Sequence, residues 1–527
     1  MNVPEPALSE AVASTLPAGA AAADRAGAAG LKAWMLTVAL FLVPLVTYWP
    51  ATFHDYGLRD DYSNLREALE EHGKVLQFCA SHARPLYGWL LQATYGEAAS
   101  VQNLAWLRFG AALLLGAISV VMFRALRACH WSFNTSLCLA LLLALVPAAQ
   151  VIAGWAVGWP YALTALLSLA AYFAVDGALR APPAARRSRT LGQGMIGLGL
   201  IVGCMLIYQP SAMFYVVPLA AGLIGDRRRD APVTARWLLL HLGILAAALA
   251  IAYGVMSLMY TSHVFVRSAR IAFEQHWGDK LAWFVSEPLP NALSLFVLND
   301  DHHRNRALYI GCVVLAGLIL AAGAVVEWRR YGRGRGLVWL FGLCVLPTVA
   351  FTVSLVASER YATYRTIFAM TAVLLCFLVA SVRLMTERLG TNTRKFLAVA
   401  ALGAALSTAQ HHAYALIAVP QGNEWQLILS GARHVRLGPI RPRIFAIAST
   451  PADISTATIY HDEFGSLSSN SEWVPKEMFK RAMRDLHPDV AHLDQLYDFS
   501  TGPSLPANRR FDVIIDMRRL RQFYTDN

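Results

Sequence analysis

Charge is scarce in this chain. Asp, Glu, Lys and Arg make up 15% of its 527 residues, where a soluble protein carries about a quarter. With 56% hydrophobic residues and a mean hydropathy of +0.43, that shortage excludes an ordinary water-soluble globule. Paired cysteines are missing too. The seven cysteines (Cys79, Cys129, Cys138, Cys204, Cys312, Cys344 and Cys376) form no CxxC or Cys/His pattern, so neither a zinc site nor a disulfide framework is indicated. No Walker motif or glycine-rich nucleotide loop occurs, which disfavours a soluble nucleotide-linked substrate. Apart from Asp176, the apolar runs lack the buried Asp, Glu or Lys series expected of an ion path.

Long apolar runs are abundant. They recur from residue 33 to residue 419, and near 20 residues each they suffice to cross a bilayer. Eleven spans are expected, roughly at 33–50, 101–123, 132–152, 156–178, 191–207, 210–225, 236–259, 306–327, 336–356, 362–382 and 396–419. The fifth and sixth are short and meet at Tyr208-Gln209-Pro210-Ser211. Separating them places Arg124 and Arg127, Arg180 with Arg186, Arg187 and Arg189, Arg227 to Arg229 with Arg236, Arg329 with Arg330, Arg333 and Arg335, and Arg383 with Arg388, Arg394 and Lys395 on one side. Taking that side as cytoplasmic puts the loops 51–100 and 260–305, the Tyr208-Gln209 break, Ser358–Arg365 and the tail from Gln421 outside. The net charge of +11 is then a matter of orientation; membrane lipids are the expected surroundings, and no nucleic acid is expected.

The expected architecture is an α-helical polytopic membrane protein of about eleven transmembrane helices over 31–419. A disordered cytoplasmic tail, 1–30, precedes it, and a small external α/β domain, 420–527, follows. Arg443–Ser449 and Phe511–Met517 read as strands and Lys476–Leu486 as an amphipathic helix. Within loop 51–100, Tyr62–His72 reads as a helix. Pro85–Tyr95 reads as a second helix lying along the membrane surface, anchored by Tyr87, Trp89 and Tyr95.

The adjacent carboxylates Asp60 and Asp61 are the first chemical candidates. Two neighbouring carboxylates repel, which raises one pKa and yields a usable general base; the plain alternative is a solvated loop with Asp61 capping the next helix. Asp55 is a weaker member of the same cluster. Arg84, preceded by His82, and Arg360 and Arg365, beside Glu359 and Tyr361, offer positive charge suited to a phosphate. The alternative for them is snorkelling to headgroups. Tyr208 and Gln209 could contact substrate hydroxyls or phosphate. The loop 260–305, with His263, Arg267, Arg270, Glu274, His276, Asp300, Asp301, His302, His303 and Arg304, reads as exposed polar loop rather than a metal site, and His411 and His412 carry no assignment.

RDDYSNLR, HARPLYGW and LIYQPS together resemble the GT-C superfamily of polyprenyl-phosphate-sugar glycosyltransferases, and more narrowly the bacterial Gtr-type glucosyltransferases that decorate O-antigen lipopolysaccharide. The likeness runs over scattered motifs up to about residue 380. In that group an Asp-Asp pair is followed by a Gly-Arg-Pro-Leu-like segment and a mid-chain Tyr-Gln. Asp60 and Asp61, Arg84, and Tyr208-Gln209 match these in turn, while Ala83 stands in place of the glycine. The resemblance implies an inverting transferase of the bacterial inner membrane, with its active site facing the periplasm. It would move a sugar from a polyprenyl-phosphate donor to a cell-surface glycan or exported protein. Asp60 or Asp61 would be the base, with Asp60 narrowly preferred. Arg84, Arg360 and Arg365 would hold the donor phosphate, and Tyr208, Gln209, Glu359, Tyr361 and His82 would line the substrate. No cofactor is required, and a divalent cation bridging Asp60 and Asp61 to the phosphate is admitted. The segment after residue 420 has no counterpart in the resemblance. A lipid-linked-sugar flippase and a non-catalytic scaffold are the alternatives; both predict that amide substitutions of the carboxylates are harmless.

Overall fold

Alanine decides where the first helix begins. In the computed structural model, which describes residues 18–180, 189–226, 231–300, 306–448 and 460–520, α1 (Ala18–Thr52) starts inside the alanine-rich stretch expected to be disordered. Alanine has the highest helix propensity of any residue. The first 17 residues of that expected tail, Arg186, Arg187, Arg227, Arg228, Arg229, Asp301, His302, His303, Arg304 and Ser449 lie outside the described residues.

Three short helices follow α1: α2 (Asp60–Glu70), α3 (Lys74–Ser81) and α4 (Pro85–Ala98). The bundle continues with α5 (Leu104–Ala128), α6 (Phe133–Leu143), α7 (Pro147–Gly154), α8 (Trp159–Arg180), α9 (Arg189–Ile207), α10 (Gln209–Ala212), α11 (Val217–Gly225) and α12 (Ala231–Thr261). After α13 (Trp277–Ser286) and α14 (Pro288–Leu293) come α15 (Arg306–Ala350), α16 (Thr352–Val356), α17 (Phe368–Thr386), α18 (Thr391–His411), α19 (Val419–Arg433) and α20 (Val474–Leu486).

Among the described residues, six stretches are long and apolar enough to cross a membrane: Trp34–Thr52, Leu104–Ala128, Ala156–Arg180, Pro232–Thr261, Arg306–Ala350 and Phe368–Thr386. The pair α6–α7, bent by 49°, qualifies when its halves are taken together, and Leu191–Ile207 and Gln209–Gly225 are shorter apolar helices. This is a multi-pass membrane protein. The 45 residues of α15 contain one break, Gly332 at φ 86°, a left-handed value that glycine tolerates without a Cβ clash. The expected span 362–382 begins as a helix only at Phe368, leaving 357–367 irregular.

The helix carrying the last apolar run does not stop at residue 419. It passes through a π-helical turn, His412–Ala418, and continues as α19 to Arg433. Hydropathy ends where the surroundings change, whereas a helix satisfies its own backbone in either solvent. Beyond it lies a three-stranded parallel sheet in the order β2-β1-β3, formed by β1 (Arg443–Ile447), β2 (Asp498–Gly502) and β3 (Val513–Asp516). Two of these fall where strands were expected; the polar DFSTG of β2 gave no such signal. The tail folds back on the first loop, with α20 packing on both α19 and α2. Arg66 Nε donates to Glu477 Oε2 at 2.6 Å, and Arg484 lies 2.9 Å from Glu70 across the same contact.

Two buried polar clusters shape the bundle. Asp176 accepts from Trp237 Nε1 at 2.9 Å, pairs with Arg180 at 2.7 Å and lies 3.6 Å from His241, whose Nδ1 is 2.7 Å from the Tyr215 hydroxyl. These contacts tie α8, α12 and the turn before α11 together. Arg108, fully buried in the first turns of α5, donates to the carbonyls of Thr52 (3.0 Å), His54 (2.7 Å) and Tyr56 (2.9 Å). It also stacks 4.0 Å over the Tyr56 ring. The chain leaving α1 exposes carbonyls that a helix end cannot satisfy; Arg108 satisfies them and so fixes the approach to Asp60.

Candidate active site

The two carboxylates that open α2 have opposite environments. Asp61 is fully buried, with Oδ2 accepting from the Leu58 N–H at 2.8 Å and Oδ1 from the Tyr95 hydroxyl. Burial pushes its pKa up to about 7, with those two hydrogen bonds opposing. Asp60 is exposed, yet enough protein surrounds it that desolvation still raises its pKa. Arg365, then Arg59, oppose that rise, Glu463 adds to it, and Arg270 opposes it. An open carboxylate of raised pKa within a ring of arginines can accept a proton from a bound group; a sealed one cannot. Asp55 is exposed on the preceding turn.

Arg84 and Gln209 meet although 125 positions apart: Arg84 Nε donates to Gln209 Oε1 at 3.3 Å, and the guanidinium lies 4.8 Å over the Tyr208 ring. Tyr208 packs at a tilt of 31° on Tyr161 (4.0 Å between centroids), and Tyr161 stacks on Tyr87 (5.3 Å). Ala83, at φ 59°, occupies the left-handed region that favours glycine. Its N–H donates to the Tyr260 hydroxyl at 3.0 Å, and its carbonyl accepts from Gln209 Nε2 at 2.6 Å, so both backbone groups hold the turn in place. His82 Nε2 lies 3.3 Å from the Ser268 hydroxyl.

The third group comes from 357–367. Arg365 is buried; its Nη1 donates to Glu463 Oε1 at 2.5 Å and its Nη2 to the Tyr361 hydroxyl at 2.5 Å, while its guanidinium lies 4.4 Å over Trp155. Arg360 is exposed, 4.0 Å from Asp279. Glu359 is exposed at the side chain, and its carbonyl accepts from Lys280 Nζ at 2.8 Å.

Glu463 is the residue that sequence reasoning passed over, together with Asp462 and Arg59, while Arg270 reads in sequence only as part of an exposed polar loop. The segment Tyr460–Ser469 straps over the site. His461 N donates to Asn299 O (2.8 Å), and the Asp462 carboxylate accepts from Tyr364 N (3.0 Å). Glu424 on α19 accepts from the N–H groups of Ser468 (2.7 Å) and Ser469 (3.0 Å). Arg59 reaches the same strap through Ser466 (3.1 Å) and Glu463 (3.8 Å). Burial pushes Asp462 well above the carboxylate range. Burial would do the same to Glu463, but Arg365 overrides it and holds that pKa down. A second acidic pair in the text of the chain, His461-Asp462-Glu463, was the available signal.

Beside these groups opens a cleft of about 470 Å³. Its walls are apolar, from Met205, Leu249, Met256, Phe273, Val353 and Val356, and its polar end carries His82, Arg84, Gln209, Arg267, Arg270 and Glu359. Arg270 therefore faces the cleft and also acts on Asp60. The loop 260–305 is thus not simply an exposed polar loop. Glu274, Lys280 and Asp300 are buried, and Glu274 N–H and Ser358 N–H bond across to Val356 and Ala272 (2.9 and 2.8 Å), bracing the irregular segment that carries Arg360 and Arg365. A second correction concerns α4: Tyr87 and Tyr95 are buried rather than anchored at a membrane surface, because their hydroxyls serve Tyr161 and Asp61; Trp89 alone of the three is exposed.

Among the described residues no three His, Cys, Asp or Glu side chains are placed to hold a metal ion. Asp61 being sealed, the first acidic pair offers a cation only the Asp60 carboxylate.

No family model and no curated relative matches the chain. Among solved structures, an Archaeoglobus fulgidus oligosaccharyltransferase tethered by a disulfide to an acceptor peptide aligns with TM-score 0.41 and 12% identity, over 86% of this chain and 63% of that one. A complex of the Archaeoglobus fulgidus oligosaccharyltransferase with Zn and sulfate aligns with TM-score 0.37 and 12% identity, over 79% and 59%. This chain spans less than two-thirds of the length of those proteins. Likeness this slight carries neither fold nor activity across.

Proposed function

We propose that this protein is an inverting membrane glycosyltransferase of GT-C type, with eleven spans and its Asp60 face outside the bacterial inner membrane. It moves a sugar from a polyprenyl-phosphate donor to a cell-surface glycan or exported protein. One observation carries the reading: an open carboxylate of raised pKa, Asp60, and a lipid-compatible apolar cleft share the same arginine, Arg270.

The donor's polyprenyl chain lies along the apolar walls, with its phosphate at the Arg84, Arg267 and Arg270 end and Arg360 at the rim. Asp60 takes the proton of the acceptor hydroxyl as that oxygen attacks the anomeric carbon. The bond from that carbon to the phosphate oxygen breaks, and polyprenyl phosphate departs with the electron pair. Arginines already in place stabilise the added charge without reorganisation. A single displacement inverts the anomeric centre, unlike the double displacement of retaining enzymes. Arg365, its charge matched by Glu463, sets the field at Asp60 more than it grips phosphate. Tyr208, Gln209, Tyr361 and His82 surround the sugar and phosphate.

The test is transfer from a radiolabelled polyprenyl-phosphate sugar by purified protein. Asp60→Asn should reduce transfer roughly 10²- to 10⁴-fold with donor binding retained. Unchanged transfer would move the base elsewhere, and no transfer by wild type with any donor would favour a flippase or scaffold.

A further inference from the structure

A second cavity, of about 800 Å³, is separate from the cleft beside Asp60. It lies where α17 and α18 diverge: α17 packs chiefly on α15 and α11, α18 packs on α1 and α6, and α6 forms the floor between them. Its walls are apolar, including Leu142, Phe296, Leu375, Leu378 and Val379. The α17 side runs from Leu375 to Thr386, roughly 16 Å at the rise of an α-helix. One end is cationic, with Arg383, Arg394 and Lys395. The one carboxylate there, Glu387, is paired with Arg330. Arg394 Nη2 is 3.5 Å from Thr391 Oγ1, and neither Arg394 nor Lys395 forms an ion pair among the described residues.

We infer that this groove is a binding site for one anionic diacyl phospholipid, its acyl chains along α6 and α17 and its phosphate on Arg394 and Lys395. Apolar length and the cationic pair Arg394 and Lys395 are the two features such a lipid requires, since basic pockets between membrane helices recognise acidic headgroups. A zwitterionic lipid would fill the apolar part equally but bring no net charge to the mouth. The lipid fills the gap between two consecutive helices, so it holds α17 and α18 in register as a wedge.

Retention and stability test this without any assay of transfer. Protein purified in mild detergent is examined by native mass spectrometry and thermal unfolding, with phosphatidylglycerol or phosphatidylcholine of identical acyl chains added. Wild type should retain one phosphatidylglycerol per chain and gain several degrees in Tm, with phosphatidylcholine giving less than half that gain. Arg394→Gln/Lys395→Gln should lose the difference between the two lipids. Leu378→Trp, which fills the apolar wall and leaves the charges, should lose retention while unfolding cooperatively. Equal response to both lipids, or an undiminished preference in the double variant, would overturn the inference. So would inorganic phosphate alone reproducing the gain, or displacement of phosphatidylglycerol by equimolar polyprenyl phosphate.

Discussion

Arg365 and Glu463, 98 positions apart in sequence, meet at 2.5 Å in a buried ion pair at the edge of the site. The pair joins the irregular segment before α17 to the strap laid over the site by the tail. It also sets the local potential, because both partners act on Asp60 with opposite sign. Breaking such a pair by removing one partner leaves a buried charge uncompensated, at about 3–5 kcal/mol.

The sign of that potential gives the first prediction. Glu463 raises the Asp60 pKa, so Glu463→Gln should move the acid limb of the pH–rate profile to lower pH. Arg365 lowers it, so Arg365→Gln should move the same limb to higher pH. Both variants should also lose activity and stability through the broken pair. Profiles of kcat over pH 4–9, measured for both, check the opposite shifts; shifts in the same direction would refute Asp60 as the titrating base.

Ala83 supplies a prediction of the reverse kind. An alanine held at φ 59° costs about 1–2 kcal/mol relative to a right-handed conformation, a cost glycine escapes. Glycine adds unfolded-state freedom worth about 0.4–1 kcal/mol, which offsets part of the gain. Ala83→Gly should leave Tm unchanged or raise it slightly and retain activity, whereas Ala83→Val should lower both. Thermal unfolding in detergent decides it. The position is the one where the resembling glucosyltransferases carry glycine, and the backbone angle supplies the physical reason.

Legibility from sequence followed the range of the interaction. Apolar runs are local, and among the described residues six stretches long and apolar enough to cross a membrane stand on them. The proline-marked break at Tyr208-Gln209-Pro210 is also local, and the chain does break there between α9 and α10. The Arg84–Gln209 contact and the Arg365–Glu463 pair are long-range, and no spacing rule reveals them. The anchoring read into Tyr87 and Tyr95 failed for the same cause: a surface helix and a helix covered by other helices share one amphipathic pattern. The end of the last long helix was missed because apolarity reports its surroundings, not its backbone.

Arg108 should prove indispensable to the fold. Arg108→Met keeps much of the bulk but abandons three charge-assisted hydrogen bonds to carbonyls at 52–56. A loss of about 3 kcal/mol or more is expected. Hydrogen exchange over residues 52–62 should accelerate before the rest of the chain responds. Equal protection in the variant would show that the α1–α2 connection is held by other contacts.

Asp61 and Glu424 should make stability fall as pH rises. Both are fully buried and both pKa values are pushed by burial to about 7. The folded pKa lies above the unfolded one, near 4, so the neutral form is favoured by folding. Stability from this source is complete below about pH 4 and is lost as pH rises through about 7. Each ionisation costs on the order of a few kcal/mol. Tm in detergent should therefore drop between pH 5 and pH 8, and Asp61→Asn with Glu424→Gln should flatten that drop. Asp60→Asn should flatten it less, because Arg365 and Arg59 oppose the rise that burial gives the Asp60 pKa. A pH-independent Tm in wild type would refute the assignment; a slope removed by Asp60→Asn instead would exchange the roles of the two adjacent carboxylates.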